Sequence, residues 1–536
     1  MDFNDVSFFD DQVGYIAGEY GYLFRTDDGG ITWARVRSGY GESYLQVVPM
    51  NPFVITYVGY SGNSGFILES YTEFFDDAIA SINNQTWQGI STFHNIGLAN
   101  TADWLTMSWG NFGARQMGNE PREPFPNSPD DSYYNYFQQS WDLLYNSINT
   151  GEKLLAHLDS DETTYPAEEV LDFKVKLNTL IGLSYGQLGL KFDNAFSQSL
   201  KTKSLRANNS LNTSNELYSY STDIDNVDEE INEKVLLQFK IPELSHLKSK
   251  IVNSNQLLPY DEIINLSNTY LENAVNSYLY LESSQSNYQV TDLLQNTWNF
   301  DVFTRFVNTT SAAHLLYKAR HSDDSIDLAS IIDFTSNGLS DISIEVASDD
   351  GFNEWTHNAY VYSVYPGWGR VDQAVLNLID PEYPSKHEGV DLPPLETSDQ
   401  RFDEYFEYLN SNNFRPERGL YFFSNYRYKR IDPVIFNDFT GGYPFVNKFE
   451  NDLIRAEAFY LSGKNSEAIS LINSIRLNSG SNLLELSSNA SNEEIEDALY
   501  YEWVVEIGPY SYGPTSWYTN RRYEKLQNGT ITQLPI

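Results

Sequence analysis

FENDLIRAEAFYLSGKNSEAISLINSIRLNSG, residues 449–480, is the stretch on which the reading of most of this chain turns. Leu453, Ala456, Ala458 and Leu461 recur at helical spacing, and Gly463 stands where a left-handed residue would close the helix. Ala468, Leu471, Ile472 and Ile475 mark a second helix, with Gly480 in the equivalent closing position. The small alanines let the two helices approach closely, so a helical hairpin is expected here.

The same texture extends over the chain from about residue 70, where YTEFFDDAIASI begins it. Helical patterns cover roughly 132–158, 261–284 and 301–320, and VLDFKVKLNTLIGLSYGQLGLKFDNAF (170–196) reads as an earlier hairpin. Both hairpins resemble tetratricopeptide-like helix pairs. Long aromatic, Gly- and Pro-rich loops lie between the helices, as in residues 107–131 and 354–373, while the Asn/Ser/Asp-rich residues 202–230 read as an excursion. Residues 1–68 differ, because VSFFD, VGYIAGE, GYLFRT, TWARVRS, YLQVVPM and FVITYVGY are short β-rich runs punctuated by Gly and Asp. The expected fold class is mainly α: a helical domain over 69–536 with helix pairs and long irregular loops, behind a short amino-terminal all-β segment over 1–68.

Composition narrows the function. A chain of 536 residues with 41% apolar and 15% aromatic residues can build a large core. Its 39 Tyr and 10 Trp exceed what a core needs, and such rings serve binding surfaces as well as packing. A formal charge of −40 repels phosphate backbones and anionic lipid heads, which argues against nucleic acid as a partner. The absence of cysteine excludes disulfides, thiolate metal sites and cysteine nucleophiles. No run of about 18 apolar residues is present to span a bilayer as a helix.

From about residue 70 onward the chain resembles the SusD/RagB family of surface nutrient-binding lipoproteins of Bacteroidota. The resemblance is carried by residues 100–155, beginning NTADWLTMSWGNFG, by WGRVDQAVLNLIDPEYP (368–384), by the hairpin at 449–480, and by NEEIEDALYYEWVVEI (492–507) and NGTITQLPI (528–536). It departs from the family pattern at Glu502-Trp503 and at SWYTNRR (516–522), a region usually structural in the family. The resemblance implies a non-catalytic, surface-exposed protein of the outer membrane that captures oligosaccharides or peptides. Its implied partner is a TonB-dependent, SusC-like transporter. Membrane attachment would come only through a lipid-bearing cysteine, which, like a signal peptide, is expected upstream of Met1. No cofactor is implied.

RTDDGGITW (25–33) raises a different possibility. Thr26, Asp28, Gly30, Thr32 and Trp33 have the spacing of the Asp-box, and residues 1–68 resemble one blade of the propellers related to sialidases and photosystem assembly factors. A closed propeller needs several blades, typically about four or more. Physically the motif is a hairpin turn, in which Gly30 supplies an unusual backbone conformation and Trp33 packs under the sheet. Sialidase chemistry would need a cluster of arginines, and this segment holds only Arg25, Arg35 and Arg37. A glycoside hydrolase and a propeller-type scaffold protein stand as the alternatives to a binding protein.

The remaining constellations point away from chemistry. Among 74 acidic residues, pairs such as Asp349/Asp350 and Glu493/Glu494 arise by chance. The 7 histidines contain no HExxH, and Ser322-Asp323-Asp324 lacks the order of a calcium loop, so no metal site is expected. No phosphate-binding glycine loop is present. The functional expectation rests on two aromatic loops, one with Trp104, Trp109 and Asn111, the other with Trp355, Tyr365, Trp368 and Arg370. Sugar rings stack their apolar faces on aromatics, and Asn and Arg bind hydroxyls. The competing reading is that these rings pin the loops to the helices.

Overall fold

The computed structural model describes residues 3–9, 11–18, 22–26, 29–31, 33–37, 44–51, 54–59, 64–68, 75–92, 94–107, 117–118, 134–159, 165–196, 257–348, 355–357, 360–361, 364, 368–386, 389–412, 424–508, 510 and 514–527. The chain opens with strands β1 (Phe3–Phe8), β2 (Gly14–Gly18), β3 (Tyr22–Thr26), β4 (Ala34–Arg37), β5 (Tyr44–Asn51), β6 (Val54–Gly59) and β7 (Ser64–Leu68). They form two antiparallel meanders, ordered β1-β2-β3-β4 and β5-β6-β7. Strand alternation sorts the side chains. Tyr15, Ala17, Leu23 and, from β5, Val47 are buried, while Val6 stays exposed opposite Ile16. The backbone N–H of Val47 donates to Asp5 Oδ2 at 2.9 Å, which ties one meander to the other.

Helices then dominate: α1 (Phe75–Ile90), α2 (His94–Thr101), α3 (Tyr134–Leu158), α4 (Ala167–Lys191), α5 (Tyr260–Ser284), α6 (Phe300–Tyr317), α7 (Leu328–Ser336), α8 (Gln373–Ile379), α9 (Glu450–Leu461), α10 (Asn465–Asn478), α11 (Asn492–Glu502) and α12 (Thr515–Arg522). Short strands stitch the connections: β8 (Leu105–Thr106), β9 (Asn194–Phe196), β10 (Leu257–Pro259), β11 (Val290–Leu293), β12 (Asn296–Trp298), β13 (Ile344–Ser348), β14 (Arg370–Val371), β15 (Phe406–Tyr408), β16 (Tyr426–Tyr428) and β17 (Gly441–Val446). The fold is therefore mainly helical, as its periodicity indicated.

The hairpin at 449–480 forms as α9 and α10. Gly463 and Gly480 follow the two helices with φ of 73° and 74°, the left-handed conformation that glycine adopts without strain. Leu453, Ala456 and Ala458 of α9 are buried, as are Ala468, Ile472 and Ile475 of α10, whereas Leu461 stays 43% exposed. The earlier stretch needs correction. Residues 167–191 form one continuous helix and not a hairpin. Its glycines do not break the helix; they bring neighbours close. The Cβ of any residue larger than glycine would stand 2.9 Å from Leu271 at position 182 and 2.9 Å from Ile264 at position 189. Both neighbours belong to α5. At Gly186 the neighbour is the imidazole of His314, on α6.

His314 is wholly buried in this seam. Ser267 Oγ donates to the Gly182 carbonyl at 2.6 Å and lies 3.1 Å from His314 Nδ1. With its one hydroxyl proton committed, Ser267 accepts from Nδ1–H, which fixes a proton on that nitrogen. Burial draws its pKa from 6.5 down to about 3. Because the unfolded chain takes up a proton below pH 6.5 and the folded chain does not until about 3, stability falls with pH across that window. His314 alone is expected to cost about 2 kcal/mol between pH 7 and pH 5. Urea unfolding at the two pH values measures this against His314→Gln. An unchanged pH dependence in the variant would show that the imidazole carries its charge inside the fold.

Buried charges fasten the carboxyl-terminal helices. Arg401 places NH2 2.7 Å from Asp399 Oδ2 and NH1 2.7 Å and 3.1 Å from Glu502 and Glu506. All four residues are buried. Burial opposes the charge, but the three carboxylates more than offset it and hold the guanidinium firmly protonated. Arg476 reaches Glu502 at 3.0 Å and Arg430 reaches Glu506 at 3.3 Å. Helix α11 runs into a π turn at Trp503–Ile507, which carries Glu506 into this cluster. Nearby, Arg522 grips both oxygens of Glu457 at 2.7 Å and 3.0 Å, and Trp503 Nε1 donates to the same carboxylate at 2.6 Å.

Candidate functional site

The two aromatic loops meet. Leu105–Thr106 and Arg370–Val371 pair antiparallel, with Arg370 opposite Thr106 and Val371 opposite Leu105. The backbone N–H of Asp372 extends this ladder by donating to the Trp104 carbonyl at 3.3 Å. Tyr428 OH donates to that same carbonyl at 2.6 Å, and Ser424 Oγ to the Val371 carbonyl at 2.6 Å. Asp372 also starts α8, its Oδ1 accepting from Ala374 N at 2.9 Å. Both segments are thus fixed to rigid elements immediately beside the ladder.

The individual side chains divide. Trp104 is 2% exposed, and its Nε1 donates to Asn520 Oδ1 at 3.2 Å. Asn520 answers by donating to the Ala102 carbonyl at 2.6 Å. Trp355 is 8% exposed, and its carbonyl accepts from Trp87 Nε1 at 3.0 Å. Arg370 is 1% exposed, with NH1 donating to the Gly369 carbonyl at 3.0 Å. Burial, and then the neighbouring Arg427 charge, draw its guanidinium down to about 10. A ring or fork so enclosed has no face to offer a ligand, so these three residues pin the loops to the body. Trp368 differs: it is half-buried, packed against the core. Trp109, Asn111 and Tyr365 lie outside the described residues.

The turn at 26–33 is built from local contacts. Gly30 N donates to Thr26 Oγ1 at 2.8 Å, and Trp33 Nε1 donates to the Gly30 carbonyl at 3.1 Å. The Trp33 ring meets Phe8 edge-on with centroids 6.0 Å apart. Gly29 and Gly30 have φ of 71° and 91°, and a Cβ on Gly29 would stand 2.8 Å from the Asp11 carbonyl oxygen. Asp28 and Thr32 lie outside the described residues. Arg25 is spent on Tyr15, donating from NH1 to its hydroxyl at 3.1 Å.

The acidic run at 322–324 also does local work. Asp324 Oδ2 accepts from the backbone N–H of Arg320 at 2.6 Å and of His321 at 3.1 Å. Among the described residues, no group of three His, Cys, Asp or Glu side chains is placed to hold a metal ion. What sequence reasoning missed is the density of buried charge near α11 and α12. Its only signal was the pair Glu502 and Glu506, one helical turn apart.

No family model matches the chain, and no curated protein matches it in sequence. Solved structures do match its fold. A SusD-like protein from Bacteroides fragilis NCTC 9343 has a TM-score of 0.50 at 12% identity, over 83% of this chain and 85% of that one. A SusD superfamily protein from Bacteroides thetaiotaomicron VPI-5482 also has a TM-score of 0.50 at 12% identity, over 85% of this chain and 92% of that one. At such identities the likeness is one of fold, and the helical body of this chain is SusD-like.

Proposed function

We propose that the chain is a surface nutrient-binding protein of the outer membrane, without chemistry of its own. It captures an oligosaccharide or peptide for a TonB-dependent, SusC-like transporter and is held to the membrane by a lipid anchor. The observation that carries this reading is the ladder of residues 105–106 and 370–371, which sets two aromatic segments side by side on a rigid helical scaffold. The SusD-like fold agrees with it. The ligand site is the outer side of this junction. Trp368 supplies the stacking face there, and Trp109, Asn111 and Tyr365, which belong to the same two stretches of sequence, are the further ligand-binding candidates. Residues 1–68 are read as a strand-rich segment of their own, a propeller-type blade with an Asp-box turn that is either a fused fragment or a lid on the helical domain.

Stacking and a few hydrogen bonds in a surface site suit micromolar affinity, weak enough for the ligand to be passed on. Calorimetric titration against a panel of soluble polysaccharides, oligosaccharides and peptides, with product analysis of the same samples, tests the reading. Saturable binding without released product is expected; turnover of any panel member would overturn it in favour of a hydrolase. Trp368→Ala is expected to weaken binding about tenfold or more, equivalent to about 1.4 kcal/mol, with the fold intact by circular dichroism. Unchanged affinity in that variant would move the site away from the junction.

A further inference from the structure

Residues at the ends of α1 and α4 carry buried polar atoms without protein partners. The two helices lie side by side in constant register: the Phe75 and Phe173 rings are 4.8 Å apart, and further along Thr86 Oγ1 is 3.3 Å from Ser184 Oγ. Ser91 follows directly on α1, and Asn95 donates from Nδ2 to the Ile90 carbonyl at 2.7 Å, at the end of the helix that runs alongside α4. Gln187 and Lys191 lie on the same side of α4 as Ser184. Lys191 acts electrostatically on His357, whose ring stands edge-on to Trp87 at 5.4 Å, one turn before Ser91.

Gln187 and Lys191 are fully buried, and Ser91 and Asn95 nearly so. Gln187 Oε1 and Nε2, Lys191 Nζ, Ser91 Oγ and Asn95 Oδ1 are all enclosed without a hydrogen-bond partner in the protein. An isolated buried hydroxyl or amide costs about 1–3 kcal/mol, and an uncompensated ammonium considerably more. Four buried arginines among the described residues are compensated. Arg401 and Arg522 sit on carboxylates, while Arg320 and Arg521 both donate to the Leu190 carbonyl at the end of α4, at 2.6 Å and 3.0 Å. Lys191 has neither kind of partner. Among the described residues no carboxylate acts on it, and burial alone draws its pKa from 10.5 down to about 7.

A lone cation beside an amide N–H and a hydroxyl makes a set of donors that lacks its negative charge. We propose that Lys191, Gln187 and Ser91 together bind a small monovalent anion of the halide class between α1 and α4. The ammonium supplies the countercharge, and Gln187 Nε2 and Ser91 Oγ–H donate beside it. Complete enclosure selects for size, since a bulky anion cannot enter without opening the helical layer. The ion joins α1 to α4 from within and contributes to stability, not to ligand capture.

Thermal unfolding of the full chain in sodium chloride, bromide or gluconate at equal ionic strength tests this. Chloride and bromide are expected to raise the midpoint over gluconate by roughly 2 °C or more, and Lys191→Met is expected to abolish the difference. Equal midpoints in the three salts, or an anion-specific shift that persists in Lys191→Met, would overturn the proposal. Should Lys191→Met not fold, Gln187→Leu and crystals of the unaltered protein grown in bromide decide. An anomalous peak within hydrogen-bonding distance of Lys191 Nζ supports the site, and its absence there refutes it.

Discussion

Arg401→Ala is expected to destabilise the protein by about 3–5 kcal/mol, a large part of what a typical domain has to lose. The guanidinium is the hub between Asp399, Glu502 and Glu506, and each of these is buried. Removing it leaves three carboxylates with Arg476 and Arg430 alone, both at the margin of the cluster. Tyr501 and Tyr405 donate to Asp399 and Glu506 at 2.9 Å each, which cannot substitute for a full charge. Lysine should rescue little, because a single ammonium cannot reproduce a fork that serves three carboxylates in different directions. Urea unfolding of Arg401→Ala and Arg401→Lys measures both. A loss below about 1 kcal/mol in the alanine variant would mean that the cluster is solvated and that its charges are worth no more than surface pairs.

The elements that sequence made legible are those whose signal is local. The hairpin of α9 and α10 carries its own periodicity and its own closing glycines, so its ends could be placed within a residue or two. The turn at 26–33 is equally self-contained, since Thr26, Gly30 and Trp33 bond mainly to one another. Elements fixed by distant partners were harder. Gly182, Gly186 and Gly189 look like punctuation in α4 until α5 and α6 are seen lying in the notches they leave. At the candidate site, loop composition identified the right segments but could not rank their side chains. Leu105–Thr106 and Arg370–Val371 are too short to read as strands, and only the folded chain shows that Trp104 and Arg370 are buried while Trp368 is half-buried. Acidic residues scattered through a chain of charge −40 look solvated, and the one-turn spacing of Glu502 and Glu506 is too common a pattern to set them apart from the rest.

Gly186→Ala should show how tightly the helical layers depend on those notches. In an ordinary helix interior the change stabilises by roughly 0.5–1 kcal/mol, because alanine restricts the unfolded chain and suits the helix. Here it is expected to destabilise by about 3 kcal/mol, reversing the sign. The new methyl would fall well inside van der Waals contact of the His314 imidazole. That ring cannot swing away. It is wholly buried, its Nδ1 is held by Ser267, and Ser267 is itself tied to the Gly182 carbonyl in the same helix. Relief therefore requires α4 and α6 to part, which would loosen the seam with α5 as well. The double variant Gly186→Ala/His314→Ala separates this from a general intolerance of the position. If the imidazole is the obstacle, the penalty of alanine at 186 should nearly vanish once the ring is removed, giving a large coupling between the two sites in equilibrium unfolding. If the penalty persists unchanged, the constraint lies in the backbone approach of α4 to α5, and the ring is only a bystander.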